Sequence, residues 1–307
     1  MQNQYYTKYD GPSDGTKSHF SHHYEHKNKK DKTVKTDIIC FDSRERSTNI
    51  YPDPENYEII LPTIYKNVVS VELLDACIPV SQYVIDTHNN KLDICYSGYD
   101  SNKEQNIVIP PGNYKYGSDN ISGSLANKLK ELFEGIFPNT WTLSYNEINN
   151  KMTISVNLGE FTLRFNDGKN GDRYNTREDG RNDIIYGTNI RSILGFKLAN
   201  IGPVSSVTSD YQVDLEGVKY IIFHLNDYYR IVSDNSGVMN GFAKIALNNK
   251  PIKYIEAPAM DKKIIKNFEI PIGKLQKLSV KFSTFGNKYY NFNGMEHSLT
   301  FRVSYLD

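Results

Sequence analysis

The sequence predicts a mainly β fold: a jelly-roll-like antiparallel β-sandwich with an inserted section made of one helix and a small sheet. Three observations predict it. Short apolar runs alternating with period two recur along most of the chain. Proline, glycine and asparagine punctuate those runs as turn residues do. One amphipathic segment at helical spacing interrupts them once.

Residues 1–36 read as a disordered, basic and histidine-rich arm. They carry almost no aliphatic side chains, and seven lysines outnumber four acids. Such a segment buries too little apolar surface to offset its ordering entropy. Residues 37–307 read as the sandwich domain. Asp37–Phe41 is a short apolar strand, followed by a charged loop at Asp42–Arg46 and two prolines, Pro52 and Pro54. Tyr57–Leu61 is expected as a strand ended by Pro62, and Asn67–Leu74 as another closed by Pro79. In the second, Val69, Val71 and Leu73 alternate with Ser70 and Glu72, so one face is buried and the other wet. Lys91–Tyr96 and Asn106–Ile109 continue the pattern into the turn Pro110-Pro111-Gly112-Asn113.

Leu125, Leu129, Leu132, Phe133 and Ile136 recur at helical spacing within 122–137. Ser122 or Ser124 can cap the start of this helix, and Pro138 ends it. Alternation then resumes at Trp141–Tyr145, Met152–Val156 and Phe161–Phe165, with Asn149-Asn150 where a hairpin turn belongs. This section, about 114–200, is the expected insertion between two halves of the sandwich. Residues 166–183 read as a flexible polar surface loop, and Ile190–Leu194 as a helical turn stopping at Gly195. Five strands follow, at Lys219–Leu225, Phe242–Leu247, Ile264–Ile270, Leu275–Phe282 and Ser298–Tyr305.

Thirty-six basic against thirty-six acidic residues leave no net charge. That argues against nucleic acid as a partner, because nucleic-acid binders carry a basic domain or stripe. Three cysteines, Cys40, Cys77 and Cys95, form no CxxC pair and specify neither a disulfide framework nor a zinc site. No apolar run follows Met1 and none approaches the length of a membrane span. A reducing, cytoplasm-like compartment is expected.

Each catalytic-looking pattern fails on context. Gly11-Pro12-Ser13-Asp14-Gly15 spells a nucleophile elbow, but no strand precedes it. Ser118-Asp119-Asn120 and Ser233-Asp234-Asn235 have no SxxK or KTG beside them and read as polar turns. Acids in 166–183 lack the spacing of a calcium loop, and three arginines offset their charge. His224 and His297 sit in or beside strands with no acid or nucleophile at a recognisable offset. The arm histidines His19, His22, His23 and His26 lack the supporting structure a metal site needs. No catalytic, cofactor-binding or metal-binding residue is therefore assigned, and no cofactor is expected. The arm lysines Lys27, Lys29, Lys30, Lys32 and Lys35 are the expected partner-binding residues, docking on a neighbouring subunit.

A series of motifs adds a family resemblance. Asp42-Ser43-Arg44-Glu45-Arg46 is followed by Tyr51-Pro52-Asp53-Pro54-Glu55-Asn56-Tyr57, then Leu61-Pro62, Tyr65-Lys66-Asn67-Val68, Val71-Glu72-Leu73 and Ile78-Pro79. Ile109-Pro110-Pro111-Gly112-Asn113-Tyr114, Leu194-Gly195-Phe196 and Glu296-His297-Ser298 follow in order. In order and spacing these resemble jelly-roll capsid proteins of nucleocytoplasmic large DNA viruses, of the minor-capsid or penton kind. The resemblance covers about 37–307 and omits the arm. It implies a non-enzymatic virion protein, assembled in host cytoplasm, that contacts other capsid proteins, the major capsid protein included. It also implies a homo-oligomer, a pentamer if the protein is a penton. The alternative is a carbohydrate- or receptor-binding β-sandwich on a virion surface or fibre, using exposed aromatics and the 166–183 loop. An enzyme ranks third.

Overall fold

The computed structural model describes residues 33–98, 103–176, 182–232, 240–247, 254–255 and 263–307. Its first two strands are β1 (Val34–Asp42) and β2 (Asn56–Pro79), joined by a 3-10 turn at Ser43–Glu45. Next come β3 (Lys91–Tyr96), β4 (Gln105–Val108), helix α1 (Leu125–Glu134), β5 (Trp141–Asn146), β6 (Lys151–Val156) and β7 (Phe161–Leu163). They are followed by β8 (Arg173–Thr176), β9 (Asn182–Ile185), the short helix α2 (Arg191–Leu194), β10 (Ile201–Val204) and β11 (Ser206–Thr208). The last third holds β12 (Tyr220–Leu225), β13 (Ala243–Ala246), β14 (Tyr254–Ile255), β15 (Ile264–Ser283) and β16 (Ser298–Leu306).

Four strands expected separately are in fact two long ones. β2 runs through Pro62, and β15 runs through Pro271. Both prolines fall where the pairing of β2 with β15 shifts register, between Ile60 and Tyr65 opposite Lys277 and Leu275, and between Asn267 and Ile272. A proline cannot donate to a ladder, so a bulge is where a strand tolerates it. Asn67, at φ 50°, adds a left-handed residue to the same bend. The prolines therefore mark where a strand turns from one sheet into another, and not where it stops. Because a β-branched residue is strained at positive φ, Asn67→Val should lose about 1–3 kcal/mol of stability in urea unfolding. Asn67→Gly should lose little.

These bends convert one hydrogen-bonded path, β1-β16-β2-β15-β12-β13, into two layers. β1, β16, the second half of β2 and the first half of β15 form one layer. The first half of β2, the second half of β15, β12 and β13 form the other. Side chains from strands far apart along the path meet face to face: Phe223 of β12 lies 6.2 Å from Phe301 of β16. Taking the halves of β2 and β15 separately gives eight segments in the order 1-8-3-6 and 2-7-4-5, which is a jelly roll. Its core includes Tyr57, Val71, Phe223, Phe282, Phe301 and Val303, all buried.

A second core lies between the third and fourth segments. It draws on residues from Ile85 to Leu215, so the inserted section is broader than the expected 114–200. Two small antiparallel sheets, β10-β7-β3-β4 and β11-β6-β5, pack with α1. The cap of α1 is Ser124, whose hydroxyl accepts from Asn127 N at 3.0 Å. Leu125, Ala126, Leu129 and Phe133 are its buried stripe. Of these, Phe133 packs on Trp141, which is fully buried with Phe137, Tyr96 and Phe161 also around its ring. The chain enters and leaves this lobe side by side, where a Cβ on Gly217 would stand 3.1 Å from Val84. α2 ends at Gly195 as expected, in the left-handed conformation (φ 78°).

The expected flexible loop at 166–183 is ordered where it is described. Asp172 is 3% exposed and meets the Arg191 guanidinium at 2.7 and 2.8 Å. Just after it, β8 and β9 pair as a hairpin. A buried arginine 19 residues downstream holds the acid, and local composition carries no sign of that long-range pairing. Residues 1–32 of the expected arm lie outside the described residues, and Val34–Thr36, its last three, begin β1.

Candidate assembly surface

Two motifs distant in sequence meet at one corner of the sandwich. The 3-10 turn after β1 brings Ser43 and Arg46 against Glu296 and His297, just before β16. Ser43 donates its hydroxyl to Glu296 Oε2. Arg46 Nη1 reaches the same carboxylate oxygen at 2.5 Å and the Ser43 carbonyl at 2.7 Å. Arg46 Nε and Nη2 donate to the carbonyls of Tyr51 and Pro52 at 3.0 and 2.9 Å. The main chain closes the corner, since Ser43 N donates to His297 O and His297 N donates to Ser43 Oγ, both at 2.8 Å. Every polar atom of Ser43 is thus engaged in structure, and the hydroxyl is fully buried. Asp42, paired with Arg44 at 2.6 Å, caps the same turn, and the guanidinium holds its carboxyl down at about 2.

His297 stacks on Phe292 at 4.7 Å, and its Nε2 lies 3.0 Å from the Tyr57 hydroxyl. Nδ1 has no hydrogen-bond partner, so the tautomer with hydrogen on Nε2 avoids a buried unmet donor. Burial, with the Arg46 charge beside it, pushes His297 down to about 3. His224 is bound through Nε2 to Ser283 Oγ at 2.7 Å, and burial with Lys281 nearby pushes it down to about 4. Each ring thus joins two strands or a strand and its flank through one buried hydrogen bond. A histidine depressed in the fold contributes stability above its unfolded value near 6.5 and loses it as pH falls toward the folded value. Unfolding stability should therefore hold above pH 6.5 and drop by on the order of 5 kcal/mol by pH 4. A His224→Asn/His297→Gln variant should show a flatter slope over that window in urea titrations.

Beside this corner the sandwich is open. β1 pairs only with β16, and the first half of β2 pairs only with β15, among the described residues. Each layer thus ends on one side in a strand with an unpaired edge, and the two edges flank a groove of about 460 Å³. Ile39, Phe41, Tyr57 and Ile59 line its floor, and Cys40, Ile50 and Ile60 its rim. Ile60 is 76% exposed, Ile50 69%, and Ile38 on the outer face of β1 65%. An unpaired edge with exposed β-branched side chains is a template for another chain.

The arm residues proposed from sequence fare unequally. Lys27, Lys29, Lys30 and Lys32 lie outside the described residues, as do the arm histidines and Ser233-Asp234-Asn235. Lys35 is on β1 and pairs with Asp307 at 2.5 Å, with both side chains more than half exposed, a pairing worth little in water. Ser118-Asp119-Asn120 is a staple: Asp119 Oδ2 accepts from Leu143 N at 3.1 Å and faces Lys130 Nζ at 3.3 Å. No group of three or more histidine, cysteine or acidic side chains that could hold a metal occurs among the described residues. None of the described helices is long and apolar enough to cross a membrane.

Sequence reading missed a second surface. Tyr116, Tyr145 and Tyr211 line an open, polar cleft of about 1020 Å³ on the inserted lobe, together with Glu147, Gln212 and Asp214. Its tyrosines come from three separated stretches, so only the fold assembles them.

Comparison with known proteins gives limited matches. The model of a family of unknown function (DUF5901) matches residues 28–156, less than half the chain. That match includes both edge strands of the groove. No curated protein matches. Among solved structures, the crystal structure of the selenomethionine-labelled mavirus penton protein is similar. It is 12% identical and aligns over 91% of this chain and 100% of that one, at a TM-score of 0.41.

Proposed function

We propose that the chain is a non-enzymatic structural protein of a virion, a penton or minor capsid subunit of a large icosahedral DNA virus. One observation carries this reading: a jelly roll whose two layers, among the described residues, both leave an apolar strand edge unpaired on the same side. A rigid sandwich of this kind works by burying surface against copies of itself and against other coat proteins, the major capsid protein among them. The motif resemblance around the Ser43–Arg46–Glu296 corner supports the same role. Stable interfaces bury about 1,200–2,000 Å², and a heterologous, head-to-tail contact that closes after five copies makes a ring. Assembly would take place in host cytoplasm, with the capsid as destination.

Light scattering on the purified full chain, with copy number and position in purified particles, tests the proposal. Closed oligomers and a defined lattice or vertex position are expected. A monomer at high concentration with no affinity for coat proteins overturns it. A second reading, a glycan-binding module, is favoured by the tyrosine-lined cleft, where ring faces stand beside amide and carboxylate groups. A competable glycan-array signal lost in Tyr211→Ala would support that reading, and silence on the array would remove it.

A further inference from the structure

We propose that the groove between β1 and the first half of β2 receives residues 20–32 of a neighbouring copy, laid in as an added strand. The inference rests on the assembly role proposed above and locates the contact that performs it.

Three features of the chain select this occupant. First, the segment has a strand's two-faced pattern. Phe20, His22, Tyr24 and His26 fall on one face at period two, and Ser21, His23, Glu25 and Lys27 on the other. The aromatic face suits the apolar floor made by Ile39, Phe41, Tyr57 and Ile59. Second, charges complement. In 20–32 the lysines Lys27, Lys29, Lys30 and Lys32 outnumber the acids Glu25 and Asp31, while Asp42, Glu45 and Glu58 line the groove with one arginine, Arg46. Arg46 is already committed to Glu296, Asp42 to Arg44 and Glu58 to Lys277, which leaves Glu45 as the exposed acid on the groove wall. Third, the backbone edges of β1 and the first half of β2, unpaired among the described residues, offer a ladder to an extended segment.

The partner is another copy because of the residues that precede β1. For the same chain's arm to enter its own groove, it would have to reverse immediately before Val34. Lys29-Lys30-Asp31-Lys32-Thr33 contains no glycine or asparagine for the left-handed positions of a tight hairpin turn. Running onward is easier: Met1–Thr33 precede β1, and 33 extended residues reach about 100 Å.

Cysteine trapping on the full chain tests this. Cys40 is exposed on the groove rim, and Cys95 is buried. Glu25→Cys should form an intermolecular disulfide under mild oxidation, giving covalent ladders on non-reducing gels that Cys40→Ser abolishes. Mixing Glu25→Cys/Cys40→Ser chains with wild type should yield a mixed covalent dimer. Phe20→Ser/Tyr24→Ser in the Glu25→Cys background should cut cross-linking at least tenfold without altering the thermal unfolding midpoint. Ile60→Asp should do the same from the groove side. Oligomers by light scattering without a Cys40-dependent cross-link would overturn the docking site and leave the assembly role standing. Cross-linking confined to single chains would overturn the exchange between copies. A chain that never oligomerises would remove both.

Discussion

Phe133→Ala should destabilise the inserted lobe by about 3–5 kcal/mol, the usual cost of truncating a buried phenylalanine. Phe133 is fully buried, and its ring centre lies 4.7 Å from that of Trp141. Removing it takes one wall from the indole and leaves a cavity that a helix capped at Ser124 and followed by Gly135 and Pro138 has little freedom to close. Trp141 is the chain's one tryptophan, so its fluorescence reports this core alone. Urea unfolding followed by that fluorescence should show a markedly lower midpoint. A change below 1 kcal/mol would contradict the packing described for α1 against β5.

Arg46→Ala should cost about 2–4 kcal/mol, somewhat less than a fully buried pair because Glu296 is 31% exposed. The substitution strips donors from the carbonyls of Ser43, Tyr51 and Pro52 and leaves Glu296 with Ser43 as its remaining partner in this cluster. Glu296→Gln keeps the hydrogen-bonding shape and should cost about 1 kcal/mol. Circular dichroism in a urea series distinguishes the two. The arginine's loss should also weaken oligomerisation, since residues 45–51 form one wall of the groove. An Arg46→Ala chain as stable as wild type would show that the corner does not hold β1 to β16.

Much of the architecture was legible in the chain because it is local. Alternation in Val69–Leu73 follows from a strand with one wet face, and the spacing of Leu125, Leu129 and Phe133 follows from a helix with one buried stripe. Gly195 could be read as a stop because only a left-handed residue fits there. The prolines misled for a physical reason. Pro62 and Pro271 lack a ladder donor wherever they sit, and sequence does not say whether a strand ends there or bulges and bends. Asp172 misled similarly, as its burial depends on Arg191 arriving from beyond a hairpin. Lys35 looked like part of a free arm and instead extends β1, because β16 offers it a partner strand.

By itself the sequence determined the β class, the helix α1, and the Ser43–Arg46 and Glu296–His297 motifs that later proved to touch. These depend on neighbours within a few residues or on residue chemistry. Tertiary structure alone decided that two bent strands fold one path into a jelly roll, and that the edges of β1 and the first half of β2 lie side by side across one groove. Those outcomes depend on which strands pair across more than two hundred residues, and no local pattern encodes that pairing.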